Sequence, residues 1–262
     1  MDLQLAKKSV VVLASSKGLG KASALAFARE GANVTLASRD SGSLKQAADE
    51  IYEETGVKPS FKECDVTNPE DIKALFAQAA SEFGTVDVLV NNAGGPKAGG
   101  FDSQNDEDWQ TAFELNLLSF VRAVREALPY MKKNGGGRIV NIASSSIKEP
   151  VEGLLLSNTF RMGIVGLSKT LAKEYGEHNI LVNTVGPGRI ATDRVAELDQ
   201  IRADRLGMSY DEAKKQHEKT IPVGRYGEPG EFAKAIVFLG SFANTYVTGQ
   251  SIVVDGGSTK AY

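Results

Sequence analysis

Short apolar runs of four to six residues alternate along the chain with longer segments in which apolar positions recur every three or four residues. The first run, Val10-Val11-Val12-Leu13, precedes a helical segment from about Gly18 whose Ala22, Leu25 and Ala26 share one face and which Gly31 is able to stop. Further runs lie at 34–37, around Phe61, and at 86–90, 138–142, 180–185 and 251–254. Strands that are apolar on both faces, each followed by a helix, predict a doubly wound α/β fold. This is a Rossmann-type parallel sheet of about seven strands with helices on both sides. Two later helices carry apolar stripes, Phe113, Leu117, Phe120, Val121, Val124 and Leu128 in one and Ile164, Leu167 and Leu171 in the other; both are assigned to core packing.

Residues 191–222 break this rhythm with a stretch rich in Arg, Asp, Glu and Lys. An insertion between a strand end and the next core helix lies where an open α/β sheet binds its ligand. It is either a substrate lid or a solvated pair of surface helices, and composition favours neither. The remaining chain reads as one domain, 1–262.

Composition narrows the function. Hydrophobic residues at 42% and charged residues at 24% fill a large core and still cover a surface. A net charge of -3 without a basic block lacks the electrostatic footprint of a nucleic-acid binder. Cys64 is the single cysteine and there are two histidines, which leaves no internal disulfide and no zinc cluster. Without a membrane-length apolar run or a signal-like start, a cytoplasmic location is expected.

The loop Ala14-Ser15-Ser16-Lys17-Gly18-Leu19-Gly20 follows the first strand and opens the first helix, so backbone N–H groups and the helix dipole can face a phosphate. A plain tight turn is the competing reading. At the end of the second strand no acid waits for the ribose hydroxyls of NAD; Arg39 stands there instead, and with Lys17 it supplies two cations for a 2′-phosphate. Asp40 beside Arg39 opposes that field. NADP(H) is therefore expected over NAD(H).

Together with Asn91-Asn92-Ala93-Gly94, Ser144, Pro187-Gly188 and Val254-Asp255-Gly256-Gly257, this loop resembles the short-chain dehydrogenase/reductase family over nearly the whole chain. The likeness is greatest to its 3-oxoacyl-carrier-protein reductases. The resemblance implies that Ser16, Lys17, Gly18, Leu19 and Gly20 hold the phosphates, and that Asp65 and Val66 meet the adenine. It places Asn92, Ala93 and Gly94 along the cofactor, and Pro187, Gly188, Ile190 and Thr192 at the nicotinamide. It also implies a symmetric homotetramer built through helices at about 106–132 and 158–176.

In the resembling family a serine holds the carbonyl, a tyrosine gives the proton, a lysine tunes that tyrosine and binds ribose, and an asparagine completes a relay. Ser144 and Asn116 match the serine and the asparagine. Ser157 and Arg161 stand where the tyrosine and lysine belong. A serine hydroxyl is a far weaker acid than a phenol of pKa about 10, and an arginine of pKa about 12.5 or above does not shuttle protons at neutral pH. Arg161 keeps the charge and the contact to ribose. Substitute donors to consider are Lys148, Glu149, Tyr210, His217, or a water held by Ser144, Ser157 and Arg161.

The expected function is an NADP(H)-dependent oxidoreductase of a small-molecule carbonyl or secondary alcohol with an altered proton relay. Its alternatives are an inert dinucleotide sensor or scaffold and, resting only on Ala14, an interaction module that has lost the cofactor.

Overall fold

The computed structural model describes residues 1–261. Seven strands pair in parallel: β1 (Ser9–Val12), β2 (Asn33–Ser38), β3 (Ser60–Glu63), β4 (Val88–Asn91), β5 (Gly137–Ile142), β6 (Ile180–Pro187) and β7 (Ser251–Val254). Their order, β3-β2-β1-β4-β5-β6-β7, is the doubly wound arrangement the apolar runs predict. Because side chains alternate along a strand, β1 divides its apolar residues between two layers. Val10 and Val12 pack with Phe27 of α1 (Gly18–Arg29) and Phe232 of α9 (Pro229–Leu239). On the opposite face Val11 and Leu13 meet Leu75 and Phe76 of α3 (Pro69–Phe83).

Two helical expectations shift. In α1 the buried face is Ser23, Ala24, Phe27 and Ala28, one position beyond Ala22, Leu25 and Ala26, which are half-buried. The cause is that α1 is wedged between the sheet and α9, so two faces are covered. The helix carrying the first long stripe is not uniform either. A π-helical turn, Glu114–Leu118, separates α4 (Asp106–Phe113) from α5 (Ser119–Lys133), and the buried residues here are Asn116, Ser119, Phe120, Ala123, Val124, Ala127 and Met131, so that Phe120 and Val124 of the stripe lie in the core. Leu117 and Leu128 are half-buried but packed against the core as expected, while Phe113 and Val121 are half-buried.

The chain reverses direction across the sheet between β1 and β4, and the loops after those strands open the crevice where such folds bind ligands. The charged insertion folds as α7 (Asp193–Leu206) and α8 (Tyr210–Glu218), beyond the carboxyl end of β6. Among the described residues no helix is long and apolar enough to cross a membrane.

Candidate active site at the strand ends

At Gly20 the glycine loop is held by contacts that leave no space for a larger residue. A Cβ on Gly20 would lie against the Ala14 carbonyl, 2.9 Å from Asn92 Nδ2 and 2.9 Å from Ser15 Cα. Asn92 Nδ2 donates to that same Ala14 carbonyl at 3.2 Å, so the loops after β1 and β4 are tied together. Ser16 Oγ donates to Ser38 Oγ at 3.0 Å and binds the loop to the end of β2. Gly18 has φ +57, and Ala14 adopts φ +47. Alanine is therefore in the left-handed region that glycine tolerates best, at a cost of roughly 1–2 kcal/mol. The strain falls on the Ala14 backbone.

The cations at the loop have distinct partners. Lys17 pairs with Asp193 at the start of α7, 3.5 Å away with both side chains exposed, a geometry that contributes little. Arg39 is exposed and forms no ion pair among the described residues. Asp40 keeps its charge beside Arg39 while its carboxylate caps α2 (Ser41–Thr55) by accepting Ser43 N at 2.7 Å. Asp65 Oδ1 accepts from Thr67 N at 2.9 Å and Thr67 Oγ1 at 2.7 Å. Burial raises the Asp65 pKa, but the Thr67 hydrogen bonds and the Arg39 charge outweigh it and hold the carboxyl below its usual range. Val66 is buried in the second layer of the core, and Leu19 packs against the first.

On the opposite wall, Gly188 N donates to Val254 O at 2.9 Å, and a Cβ at Gly188 would strike Asp255. Pro187 ends β6, and Ile190 is buried in the first core layer. Thr192 caps α7, its hydroxyl accepting from Val195 N at 3.4 Å. Thr192 Cγ2 would stand 3.8 Å from a Cβ on Gly18, so the loops after β1 and β6 face each other.

Behind these loops lie the residues for which the resemblance implies a proton relay. Asn116, wholly buried on the π turn, donates from Nδ2 to Gly94 O at 2.7 Å. Such turns insert one residue into a helix and often mark functional positions. Arg161, on α6 (Leu155–Tyr175), donates from Nη1 to Ile142 O at 3.1 Å and from Nη2 to Ala93 O at 3.5 Å. No carboxylate pairs with it among the described residues, and burial lowers its pKa to about 10, which keeps it charged at neutral pH. Ser157 is buried one turn earlier on the same helix. Ser144 is half-buried at the end of β5, where its Oγ accepts from Ser146 N at 3.1 Å. Its carbonyl lies so close to Gly186 that a Cβ there would collide. Asn116 and Arg161 thus meet on the carbonyls of Gly94 and Ala93, next to Asn92, which is bound to the glycine loop.

Of the substitute donors, Glu149 and His217 are engaged elsewhere. Lys148 and Glu149 are exposed, and Glu149 Oε2 accepts from Lys260 N at 3.1 Å. His217 does not face water: Nε2 lies 2.9 Å from Arg189 Nη2 and 3.1 Å from Arg202 Nη1. Burial first, then these two cations, lowers its pKa to about 4, and a neutral imidazole of that kind is no acid at pH 7. Tyr210 is half-buried at the start of α8.

Sequence reasoning missed the network that anchors the insertion. Asp199, fully buried on α7, accepts from Arg189 Nη1 at 2.6 Å and from the Tyr226 hydroxyl at 2.8 Å. Arg194 Nη2 donates to Pro96 O at 2.9 Å and brings α7 over the loop after β4. The spacing of these residues follows no helical or strand period, so only the tertiary fold reveals them.

Known proteins agree with this geometry. Residues 13–259 match the family described as Enoyl-(Acyl carrier protein) reductase. The 3-oxoacyl-[acyl-carrier-protein] reductase FabG of Chlamydia muridarum is 35% identical over 257 residues, covering 98% of this chain and 99% of that protein. FabG of Aquifex aeolicus is 34% identical over 257 residues, with 98% and 99% covered. Among solved structures, L-sorbose reductase from Gluconobacter frateurii, complexed with NADPH and L-sorbose, superposes with a TM-score of 0.94 at 34% identity over all of both chains. YwfH, an NADPH dependent reductase involved in bacilysin biosynthesis, superposes with a TM-score of 0.93 at 30% identity over 98% of this chain and 100% of its own. A parallel sheet in this order, a glycine loop facing its switch point and likeness along nearly the full length lead to one conclusion: the chain belongs to the short-chain dehydrogenase/reductase family.

Proposed function

We propose that this protein is an NADP(H)-dependent oxidoreductase that reduces a small-molecule carbonyl, or oxidises the corresponding secondary alcohol, through an altered proton relay. The observation that carries this reading is the crevice itself, in which the glycine loop is tied to Asn92 and faces Thr192 while Asn116 and Arg161 converge on the carbonyls of Gly94 and Ala93. Such residues fit a dinucleotide, which supplies the hydride when bound. Lys17 and Arg39 would hold the 2′-phosphate, Arg161 the ribose, and Ser144 the carbonyl. Ser157 and Arg161 occupy the positions of the family's tyrosine and lysine, so the proton comes from a group other than a phenol. The relatives named as NADPH-bound or NADPH-dependent support the cofactor choice.

The same reading treats the chain as one domain, with α7 and α8 as a substrate lid moored through Asp199. It also expects a homotetramer. Phe113, Leu117 and Val121 are half-buried beside α6, and Met162 of α6 is exposed, which leaves apolar surface for a second subunit. Light scattering at micromolar concentration should report a tetramer; a monomer would remove that expectation.

Single-turnover oxidation of bound NADPH, followed by its fluorescence across a panel of ketones, sugars and acyl thioesters, tests the chemistry. Oxidation by at least one carbonyl class is expected. Tight binding with no oxidation would instead favour the inert sensor.

A further inference from the structure

Where α7 meets the glycine loop, the lysine assigned above to the 2′-phosphate already has an anion beside it: Lys17 Nζ lies 3.5 Å from Asp193 Oδ2. Both side chains are exposed, so the pair itself holds little together. Its neighbours in the chain nevertheless keep the carboxylate there. On one side, Thr192 Cγ2 stands 3.8 Å from where a Cβ on Gly18 would be, and the Thr192 hydroxyl caps α7 by accepting from Val195 N. On the other, Arg194 Nη2 donates to Pro96 O at 2.9 Å and Nη1 to Glu197 Oε2 at 2.9 Å. Further along α7, Asp199 is bound to Arg189 and Tyr226. The first turn of α7 is thus set against the loops after β1 and β4 by contacts that do not involve Asp193. Asp193 faces Lys17 whatever the strength of the ion pair.

We propose that Asp193 is a specificity-determining residue for the dinucleotide: its carboxylate competes with the 2′-phosphate for Lys17 and holds the preference for NADP(H) over NAD(H) below what the lysine would otherwise give. A phosphate monoester carries a charge of about −2 at neutral pH. To meet it, Lys17 must leave the carboxylate, and the phosphate then stands beside a second anion. NAD(H) has a neutral hydroxyl at that position and escapes both costs. Because the pair is exposed, water and salt screen the repulsion, so the penalty is severalfold in affinity and not orders of magnitude. The proposal rests on the NADP(H) reading above, which gives Lys17 to the 2′-phosphate. A purely local use of Asp193, as the acid in the first turn that favours the positive end of α7, predicts a weaker helix on its removal and no change in nucleotide choice.

Calorimetric titration of NADP+ and NAD+ into the parent, Asp193→Asn, Lys17→Met and the double variant tests this without any turnover. Asp193→Asn should tighten NADP+ by about threefold to tenfold and change NAD+ by less than about twofold. Asp193→Ser, which also removes the charge, should do the same. In the Lys17→Met background the gain should fall to about twofold or less, because the competition is for Lys17. At about 1 M salt the difference between Asp193→Asn and the parent should nearly vanish. Three results would overturn the proposal and leave the NADP(H) reading in place: NADP+ binding that is unchanged or weaker in Asp193→Asn, equal tightening of both nucleotides, or the same gain with and without Lys17. If neither nucleotide binds the parent, or both bind it equally and Lys17→Met alters neither, the NADP(H) reading fails and the proposal falls with it.

Discussion

Two buried arginines stand at opposite ends of β5, and they are used differently. Arg138, at its start, is 2% exposed and spends its guanidinium on four carbonyls: Nε on Ser241 O and Asn244 O, Nη1 on Gly137 O and Asn179 O. Phe242 stacks on it at 4.6 Å. Arg161, facing the end of the strand, holds two carbonyls, one of them at 3.5 Å, keeps Nε unpartnered and has its aromatic neighbour at 5.9 Å. Neither pairs with a carboxylate among the described residues, and burial lowers the pKa of both. The first arginine is consumed by the fold; the second has capacity left for a ligand, at the end of the sheet where ligands bind.

The largest effect should come from restoring the family's pair at that end. Ser157→Tyr with Arg161→Lys is expected to raise NADPH-dependent reduction of an activated ketone by about a hundredfold to ten-thousandfold, the usual contribution of a general acid. Steady-state rates with a crystal structure of the variant check this. No gain, with the phenol seen close to Ser144, would mean the site serves another reaction. Arg138→Lys should change stability and leave the reaction untouched.

Stability should separate the two residues in the opposite sense. Arg138→Met removes the donor from four carbonyls, three of them on buried residues, and is expected to cost about 3 kcal/mol or more in urea denaturation. Arg161→Met removes a buried charge that the protein satisfies only in part, and should change stability by about 1 kcal/mol or less. Equal losses would dissolve the contrast.

A smaller effect concerns Arg189 and Arg202, whose guanidinium groups flank a neutral imidazole. Because the folded His217 pKa is about 4, below its ordinary value, the unfolded chain takes up the proton first as pH falls. Its contribution should be complete above about pH 6.5 and decline toward pH 4. Urea midpoints measured across that window should fall less in His217→Gln than in the parent.

Much of this frame was legible in the sequence because the strands are apolar on both faces; the runs at 138–142 and 251–254 match β5 and β7 to within one residue. The run at 86–90 starts two residues early, since Val86 is buried without pairing and Asp87 turns its carboxylate to Ser9 N. The glycine loop and Asn92 were legible as a motif, but the left-handed backbone of Ala14 was not, because no local pattern demands it. Nor could spacing reveal the π turn, as Phe113 and Leu117 fit an unbroken helix equally well. Arg138 reads from the sequence as an edge residue of a strand. Two of its four carbonyl partners, those of Ser241 and Asn244, lie about a hundred residues away and become neighbours only once α9 has packed.

Titration of NADPH and NADH into the same protein tests the crevice most directly. NADPH should bind more tightly, each charge-assisted phosphate contact contributing on the order of 1.5 to 3 kcal/mol, and Arg39→Asp should remove most of the difference. Equal affinities with no effect of Arg39→Asp, or no binding of either nucleotide, would contradict an NADP(H) site here.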